Sequence, residues 1–303
     1  MKSKNGDIIN EKDDILNRWK DHFHELLKII EYEKEPSIMQ DPNDIEEEDS
    51  LPTIEVEMAV HKLKNYKAPG MDKIPAELFK YGGNELVKHL HIIIKEIWIK
   101  KKMPTDWKLS IICPIYKKGD IVECSDYRGV SLLNTSFKIL SNILLARVSP
   151  FAENITGNYQ CGFRKKRSTT NQIFTLRQIL EKTEEFGTET HHLFTDFRSA
   201  CDTTEREQLH NAMSEFNIPN KLIRLAWMTM ENTKSQVRIQ PDLSDLITTK
   251  NGLRQGDLLA CLLFNLALEK VIRNAGIQTS RTIFYKLVQL LAYADDIDII
   301  ARS

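Results

Sequence analysis

Hydrophobic positions along the chain predict more helix than strand. The pattern predicts helices in eight stretches, at about 12–28, 54–63, 84–97, 136–148, 169–183, 204–216, 219–231 and 258–275. Short apolar or alternating runs predict strands at 109–116, 191–197 and 235–240, and a final hairpin within 288–300. Asn84 is predicted to cap its helix. Because the strands do not alternate regularly with helices, the pattern favours an α+β fold with an antiparallel sheet.

The final hairpin interrupts its apolar pattern with two adjacent acids. In LLAYADDIDIIARS (290–303), Asp295 and Asp296 stand between apolar flanks. An ionised carboxylate is costly to bury unless a cation or hydrogen bonds offset that cost. The pattern therefore predicts that both acids lie at the tip of a tight turn. Taken alone, it fits an ordinary Asp-rich turn equally well.

A third acid occupies a similar place on another strand. Asp196 ends the apolar strand within HLFTDF. Two strands at this separation in the chain can pair, with the helices between them packing against the sheet. Asp196 and Asp295 would then share divalent cations, since carboxylate oxygens suit Mg²⁺, whose remaining ligands come from water and substrate phosphates. Two such ions, about 3.5–4 Å apart, stabilise the attacking and leaving oxygens of a phosphoryl transfer.

Composition fits a globular protein of one large or two ordinary domains. The 303 residues are 41% hydrophobic and 28% charged. The chain contains neither a run approaching the ~18 apolar residues of a membrane span nor an N-terminal signal-peptide pattern. Five cysteines, at 113, 124, 161, 201 and 261, form no C-x-x-C. We therefore expect no membrane association and no disulfides, and an intracellular location whose compartment stays open.

Charge is distributed unevenly although the net charge is only −1. Residues 31–57 contain eleven acids, residues 95–118 contain seven lysines, and residues 164–167 are RKKR. The distribution predicts an acidic linker and basic surfaces, although each cluster also fits an ordinary solvated face. We expect residues 1–58 to form an N-terminal helix and acidic linker, and residues 59–303 to form the main domain.

Several motifs resemble those of one protein family. TDFRSACD (195–202), GLRQGDLLACLLFNLALE (252–269) and YADD (293–296) resemble motifs A, B and C of reverse transcriptases, in that order and spacing. Four upstream segments resemble the fingers of non-LTR (LINE-type) retrotransposon polymerases: KAPGMDKIPAELFK (67–80), PIYKKGD (114–120), SDYRGVSLL (125–133) and YQCGFRKKRSTTNQI (159–173). The resemblance covers roughly residues 55–303.

The resemblance implies an RNA-directed DNA polymerase with a right-hand fold, in which fingers and a palm with an antiparallel sheet are present. Asp196 and Asp295 match the metal ligands and Asp296 matches the third acid, while the backbone carbonyl of Phe197 would complete one metal shell. The implied ion is Mg²⁺, with Mn²⁺ as an alternative. The implied partners are an RNA template, a DNA primer and dNTPs.

The resemblance also implies binding residues. Those for the incoming nucleotide are Lys117 or Lys118, Arg128, Phe197, Cys201, Gln255 and Gly256. Those for template and primer are Gly162, Phe163, Arg164, Arg167 and Arg254. Cations suit phosphate oxygens, and glycine allows close backbone approach. Simpler interpretations stay open: a surface arginine at 128, a hairpin tip at 117–118, a turn with a core aromatic at 162–164, and a helix start at 255–257.

The sequence departs from the family pattern at several positions. Cys201 stands where the family has an aromatic residue under the sugar, which predicts weaker exclusion of ribonucleotides. Leu258, Ala260 and Cys261 replace Pro, Ser and Pro of motif B, and Lys165–Lys166 replace Pro-Gly. These changes suggest a degenerate copy. The sequence given ends just after the YADD hairpin, so we expect no thumb and an unprotected edge at the final strand.

Three other functions remain open at this stage. The chain could be a catalytically inactive remnant that at most binds nucleic acid. It could be a polymerase of another type, such as an intron maturase or an RNA-dependent RNA polymerase. It could also be an interaction protein that uses its N-terminal helix and acidic linker.

Overall fold

The computed structural model describes residues 1–28, 50–277 and 289–302. Its helices are α1 (Lys12–Leu26), α2 (Thr53–His61), α3 (Ala76–Tyr81), α4 (Gly83–Lys100), α5 (Thr135–Ile155), α6 (Thr169–Glu185), α7 (Ala200–Thr203), α8 (Arg206–Glu215), α9 (Asn220–Met230) and α10 (Leu258–Asn274). Its strands are β1 (Leu109–Tyr116), β2 (Tyr127–Leu132), β3 (Thr190–Thr195), β4 (Thr233–Ile239), β5 (Asp242–Leu243), β6 (Ile247–Thr249), β7 (Gln289–Tyr293) and β8 (Asp296–Arg302). The predicted acidic linker lies almost entirely outside the described residues.

The strands form two sheets, and the α+β prediction is confirmed. The larger sheet has the order β2-β1-β4-β5, with β6 also paired to β4. In it β1 and β4 are parallel, so the expected antiparallel pairing describes the smaller sheet but not all of the larger one. The smaller sheet has the order β3-β8-β7 and is antiparallel throughout. The smaller sheet therefore pairs the strand that ends before Asp196 with the hairpin that contains Asp295 and Asp296.

One main core joins the helices to the smaller sheet. Helix α5 is buried over most of its length because it has apolar residues on several faces, including Phe137, Leu140 and Leu144. It packs against α2, α9 and α10. From the smaller sheet, Leu290 and Ile297 enter the same core. The sheet that positions the acids thus rests on a rigid helical layer.

Helix α1 forms a second core with the larger sheet. Trp19 and Phe23 are buried there against residues that include Val237 and Ile247. At the end of the helix, the Leu27 carbonyl accepts hydrogen bonds from the backbone N–H groups of Lys250 (3.2 Å) and Asn251 (3.1 Å). The predicted boundary at residue 58 falls inside α2. The N-terminal helix is therefore packed against the elements that lead into residues 252–257.

Two local expectations were wrong. Helix α4 begins at Gly83, so Asn84 is its second residue and its side chain caps nothing. The final strand is not an edge, because β8 lies between β3 and β7. The edge strand β3 instead exposes Leu193 and Phe194. Within the described ranges, none of the helices combines the length and hydrophobicity needed to cross a bilayer.

Candidate active site

The acidic pair occupies a tight turn between β7 and β8. Tyr293 pairs with Asp296, which leaves Ala294 and Asp295 as the two turn residues. Ala294 has a φ of 57°, a left-handed conformation that costs a residue with a Cβ about 1–2 kcal/mol. The predicted hairpin tip is confirmed, and its backbone requires support from outside the hairpin.

Gln160 supplies that support. Its side chain is buried, and its Oε1 accepts a hydrogen bond from the Ala294 N–H (2.8 Å) while its Nε2 donates to the Ala294 carbonyl (3.0 Å). Beside it, the Cys161 N–H donates to the Ala292 carbonyl (2.9 Å). One neutral amide thus satisfies both backbone polar groups of the strained turn residue.

Gly162 lies directly against the same turn. A Cβ at this position would stand 2.0 Å from the Ala294 backbone nitrogen, a distance that no side chain can occupy. The Gly162 carbonyl also accepts a hydrogen bond from Asn265 Nδ2 of α10 (2.9 Å). Glycine is therefore required here for close packing beneath the hairpin.

Asp196 faces the hairpin across the strand pair. Thr195, the last residue of β3, pairs with Ile297, so Asp196 stands one position further along the ladder, opposite Asp296. Directly opposite side chains have their Cβ atoms roughly 4.5–5.5 Å apart, and like charges there are destabilising. Among the residues that the structure describes, no cation pairs with either carboxylate, and two facing carboxylates of this kind are a chemically suitable setting for a bound metal ion.

A cleft of about 580 Å³ collects most of the predicted site residues. Those that line it are Lys117, Arg128, Phe163, Asp196, Phe197, Cys201, Arg254, Gln255, Gly256, Asp295 and Asp296. Those that do not line it are Lys118, Gly162, Arg164 and Arg167. Residues from six separate segments of the chain therefore converge on one concave site.

The three carboxylates in this cleft are open to ligands. Within 1–28, 50–277 and 289–302, no hydrogen bond or ion pair engages the side chain of Asp196, Asp295 or Asp296. Over the same residues, the structure contains no group of three or more His, Cys, Asp or Glu side chains already arranged around a metal position. Because Mg²⁺ is usually held by one or two carboxylates together with substrate phosphates, the donor set fits this ion without a preformed cage.

Two cations line the cleft from the larger sheet. Arg128 lies on β2, paired with Ile115 of β1, and Lys117 follows the end of β1. Both residues are exposed, and neither forms an ion pair with a residue that the structure describes. The Lys117 N–H donates to the Asp126 carbonyl (2.9 Å), which fixes the backbone of this loop. Unpaired cations on a fixed backbone are suited to phosphate oxygens.

The Gln255–Gly256 turn forms a further wall of the cleft. The Ser131 N–H of β2 donates to the Gln255 carbonyl (2.7 Å). Gly256 has a φ of 116°, and a Cβ there would stand 2.8 Å from the Ser131 carbonyl oxygen. Asp257 then caps α10 by accepting a hydrogen bond from the Leu259 N–H (3.2 Å). This turn is thus both a helix start and a close backbone contact with β2.

Asp202 is buried beside this turn and was not selected from the sequence. Its Oδ2 accepts a hydrogen bond from Gln255 Nε2 (2.6 Å). Burial raises the pKa of its carboxyl to about 7, and the hydrogen bond from Gln255 offsets only part of that rise. Asp202 therefore links the segment after Asp196 to the Gln255 turn through a single side-chain contact.

Two residues predicted to contact nucleic acid, Arg164 and Arg254, make extensive contacts within the protein. Arg164 forms an ion pair with Glu153 (2.7 Å) and donates to the carbonyl of Gly157 (2.7 Å), and its side chain is only 6% exposed. Arg254 donates to the Thr229 carbonyl (2.8 Å) and stacks over the Phe137 ring at 4.1 Å from the centroid. Burial lowers the pKa of the Arg254 guanidinium to about 10. The contacts of both guanidinium groups are structural.

Two other predicted residues have simpler surroundings. Arg167 is exposed and donates to Asn158 Oδ1 (2.9 Å), outside the cleft. The Cys201 thiol has its pKa raised to about 12, first by burial and then by the charges of Asp202, Cys261 and Asp295. Cys201 is therefore a small, neutral side chain at neutral pH, in the position where an aromatic ring was expected.

Sequence reasoning missed Gln160 and Asp202 for different reasons. Asp202 had a usable signal, since it is a second acid in the same motif as Asp196. Gln160 also lies in a quoted motif, YQCGFRKKRSTTNQI, but its role becomes visible only when the hairpin is placed against it. Both residues act on turns that were themselves predicted.

Comparison with known proteins gives consistent matches. Residues 115–303 match the family described as reverse transcriptase (RNA-dependent DNA polymerase). The chain is 25% identical over 252 residues to a probable RNA-directed DNA polymerase from transposon X-element of Drosophila melanogaster, covering 82% of this chain and 27% of that protein. It is 27% identical over 266 residues to the RNA-directed DNA polymerase from mobile element jockey of Drosophila funebris, with coverage of 82% and 27%.

A third relative extends the range of organisms. The chain is 23% identical over 254 residues to the transposon TX1 uncharacterized 149 kDa protein of Xenopus laevis, covering 82% of this chain and 19% of that protein. The chain thus spans between about a fifth and a quarter of the length of these relatives.

Proposed function

Because the chain belongs to the reverse transcriptase family, we propose that it catalyses template-directed addition of dNTPs to a primer 3′-hydroxyl. The resemblance inferred from the sequence motifs is confirmed by the family match and by retrotransposon relatives. The relatives are named as RNA-directed DNA polymerases, which favours RNA as the template and DNA as the primer.

In this proposal the two sheets correspond to two parts of a right-hand polymerase. The smaller sheet, β3-β8-β7, is the palm, since its strands position all three acids. The strands β1 and β2, with the helices that precede them, are the fingers, since they bring Lys117 and Arg128 to the cleft.

One observation supports the proposal most strongly. A single cleft places the unpaired carboxylates of Asp196, Asp295 and Asp296 together with the unpaired cations Lys117 and Arg128. Nucleotidyl transfer requires this division, because the cations bind the triphosphate while the acids hold metal ions near the reacting phosphorus.

The residues then have distinct roles. Asp196, Asp295, Asp296 and the Phe197 carbonyl would hold Mg²⁺ or Mn²⁺, which when bound supplies electrostatic stabilisation of the transferring phosphoryl group. Lys117 and Arg128 would bind the triphosphate. Gln255 and Gly256 would lie beneath the nucleotide, where the absence of a Cβ allows close approach.

Template and primer would cross the outer part of the cleft. Phe163, which is 53% exposed and lines the cleft, is placed to stack on a base. Arg167 is exposed and would contact the phosphate backbone from outside. Gly162 and Arg164 would contribute indirectly, by holding the hairpin and the loop around Phe163.

Primer extension on an RNA template tests the proposal. The double variant Asp295→Ala/Asp296→Ala should lose more than about 1,000-fold of the extension rate, since it removes most of the charge that holds the metal ions. The matched control is Asp13→Ala/Asp14→Ala, an adjacent exposed pair in the first turn of α1, which should extend normally.

Two results would contradict the proposal. One is extension by the wild-type chain that survives in the Asp295→Ala/Asp296→Ala variant. The other is binding of primer and template, with folding intact, but no Mg²⁺- or Mn²⁺-dependent extension. The second result would favour the alternative of an inactive remnant that binds nucleic acid.

A further inference from the structure

Asp202 is a buried acid with no role in the proposed chemistry. Asp202 is 8% exposed, and it lies between the cleft and a second, much smaller pocket that is also lined by Gly252 and Gln255. Across the described part of the chain, its carboxylate forms no ion pair, and its side-chain partner is Gln255. A carboxylate in such a position costs stability, so its presence calls for a purpose other than packing.

The backbone prevents Asp202 from separating from Gln255. The Leu253 N–H donates to the Cys201 carbonyl (2.8 Å), and the Gly252 N–H donates to the Thr204 carbonyl (2.9 Å). A Cβ on Gly252 would stand 2.5 Å from the Asp202 carbonyl oxygen, so the two segments are in direct contact. The acid is therefore held at a fixed distance from the glutamine.

The contact also determines which end of the amide faces the cleft. Above pH 7, where Asp202 is mostly ionised, its carboxylate only accepts hydrogen bonds and therefore selects the amide nitrogen of Gln255. The Gln255 backbone is held from the other side by Ser131 (2.7 Å). No described residue donates to Gln255 Oε1. Because Gln255 lines the cleft, its oxygen is the end of the amide left for a ligand.

We propose that Asp202 is a positioning residue that fixes the Gln255 carboxamide with Oε1 presented as an acceptor to a hydroxyl of the incoming nucleotide. The inference rests on the proposed function and adds a residue that the metal and phosphate roles do not require. Asp202 itself does not touch the nucleotide, so its effect passes through Gln255.

Substitutions at both positions test this dependence. Asp202→Asn keeps the shape of the side chain, but asparagine can hydrogen-bond to either the nitrogen or the oxygen of the Gln255 amide. The amide then loses its fixed orientation, so KM for dNTP should rise about tenfold with a smaller change in kcat. Gln255→Ala should raise KM at least as much. In the Gln255→Ala background, Asp202→Asn should change KM by less than about twofold, because nothing remains to position.

Exchanging the acid and the amide between positions 202 and 255 should reverse the effect of Asp202→Asn on KM. Gln255→Glu places a second carboxylate against Asp202 and should raise KM strongly. Adding Asp202→Asn restores an amide–carboxylate contact and should lower KM relative to Gln255→Glu alone. The same substitution is then harmful, silent or helpful according to residue 255, which a merely structural role would not produce.

The matched control is Asp257→Asn. Asp257 is also a buried acid in the wall of the cleft, but its partners are Ser141 and the Leu259 N–H rather than Gln255. If the two sites act independently, the fold-change in KM caused by Asp257→Asn should be the same in the wild-type and Gln255→Ala backgrounds. If Asp202→Asn and Asp257→Asn behave alike in every background, the positioning role is overturned.

A second measurement separates this inference from the proposed function. A dideoxy-terminated primer on its template, with Mg²⁺, permits dNTP binding but no chemistry, and Kd replaces KM. If primers are not extended but the effect of Asp202→Asn on Kd still depends on residue 255 as expected, the proposed function is overturned and the positioning role is supported. Normal extension with independent effects overturns positioning alone. Absence of both extension and dNTP binding overturns both.

Discussion

Two tight turns form the chemical walls of the cleft, and they are held in opposite ways. The Ala294–Asp295 turn bears carboxylates and is held by a neutral amide, Gln160. The Gln255–Gly256 turn bears a neutral amide and is held by a carboxylate, Asp202. Each turn also contains one residue with a left-handed φ.

The difference follows from what each turn must present. An amide can bond to both the N–H and the carbonyl of Ala294 without adding negative charge beside Asp295 and Asp296. A carboxylate can bond to only one end of the Gln255 amide, so it gives that amide a direction. Support for a charged group is thus neutral, while support for a neutral group is charged.

The largest effect is expected where the neutral support is removed. Gln160→Ala leaves the N–H and carbonyl of Ala294 buried and unpaired, at about 1–3 kcal/mol each. We expect the free energy of unfolding to fall by roughly 2–5 kcal/mol and extension to fall by about 100-fold or more, because the acids lose their fixed turn. Denaturant unfolding and primer extension measure the two effects.

Gln160→Glu is the sharper variant at the same position. A glutamate can accept from the Ala294 N–H, but it cannot donate to the carbonyl, and it adds charge near the acids. It should retain near-wild-type packing volume yet lose most activity. Full activity in Gln160→Glu would contradict the view that this support has to be neutral.

The next largest effect is expected at Asp202, the charged support of the Gln255 turn. Here removal of the charge should increase, not decrease, the free energy of unfolding. The pKa of Asp202 is raised to about 7 when folded, against about 4 for an unfolded aspartate. Between these values the folded state binds more protons than the unfolded state, so this group makes stability fall as pH rises from about 4 to 7. Above pH 7 the loss is complete, at roughly 4 kcal/mol.

Asp202→Asn should therefore stabilise the protein at pH 8 by up to about 4 kcal/mol while weakening nucleotide binding. The gain should shrink steadily as the pH is lowered towards 4. Thermal unfolding of both proteins at several pH values measures it. A destabilised Asp202→Asn variant at pH 8 would show that the carboxylate serves the fold, and would remove the contrast between the two turns.

The smallest effect on activity is expected from a substitution at Cys201, which lies between the two turns. The charges of Asp202 and Asp295 both raise the pKa of the Cys201 thiol, so this residue is near each turn. Cys201→Tyr would place a ring where the family has one, and should increase discrimination against rNTPs about tenfold with a modest change in dNTP use. Primer extension with dNTPs and rNTPs provides the ratio. Unchanged discrimination would show that residue 201 does not contact the sugar in this chain.

Much of the fold followed from periodicity, because long apolar patterns have few alternatives. Helix α10 and the β7–β8 hairpin were predicted closely since each is specified by local residues. The pairing of the Asp196 strand with the hairpin was also expected, but the unprotected edge at the final strand was wrong, because β3 covers that side of β8. The predicted cap at Asn84 was wrong because α4 begins one residue earlier, at Gly83, with Gly82 in the N-cap position.

The site was predicted where charge alone decides function and missed where burial decides it. Asp196, Asp295 and Asp296 share one cleft as expected. The sequence gives no sign that Arg128 and Arg164 differ in their surroundings. In the structure Arg128 is exposed in the cleft, whereas Arg164 is enclosed by Glu153 and nearby backbone carbonyls. Only the packed structure distinguishes an exposed arginine that lines a cleft from a buried one that holds a loop.

The packing of α1 has a consequence for recombinant work. A fragment cloned from residue 59 would contain every polymerase motif discussed above, but it would lack the helix that covers Val237 and Ile247. It would also lose the Leu27 carbonyl that anchors Lys250 and Asn251, just before the Gln255 turn. Such a fragment would expose an adhesive apolar face and loosen one wall of the cleft, so inactivity or aggregation in it would say little about the intact chain.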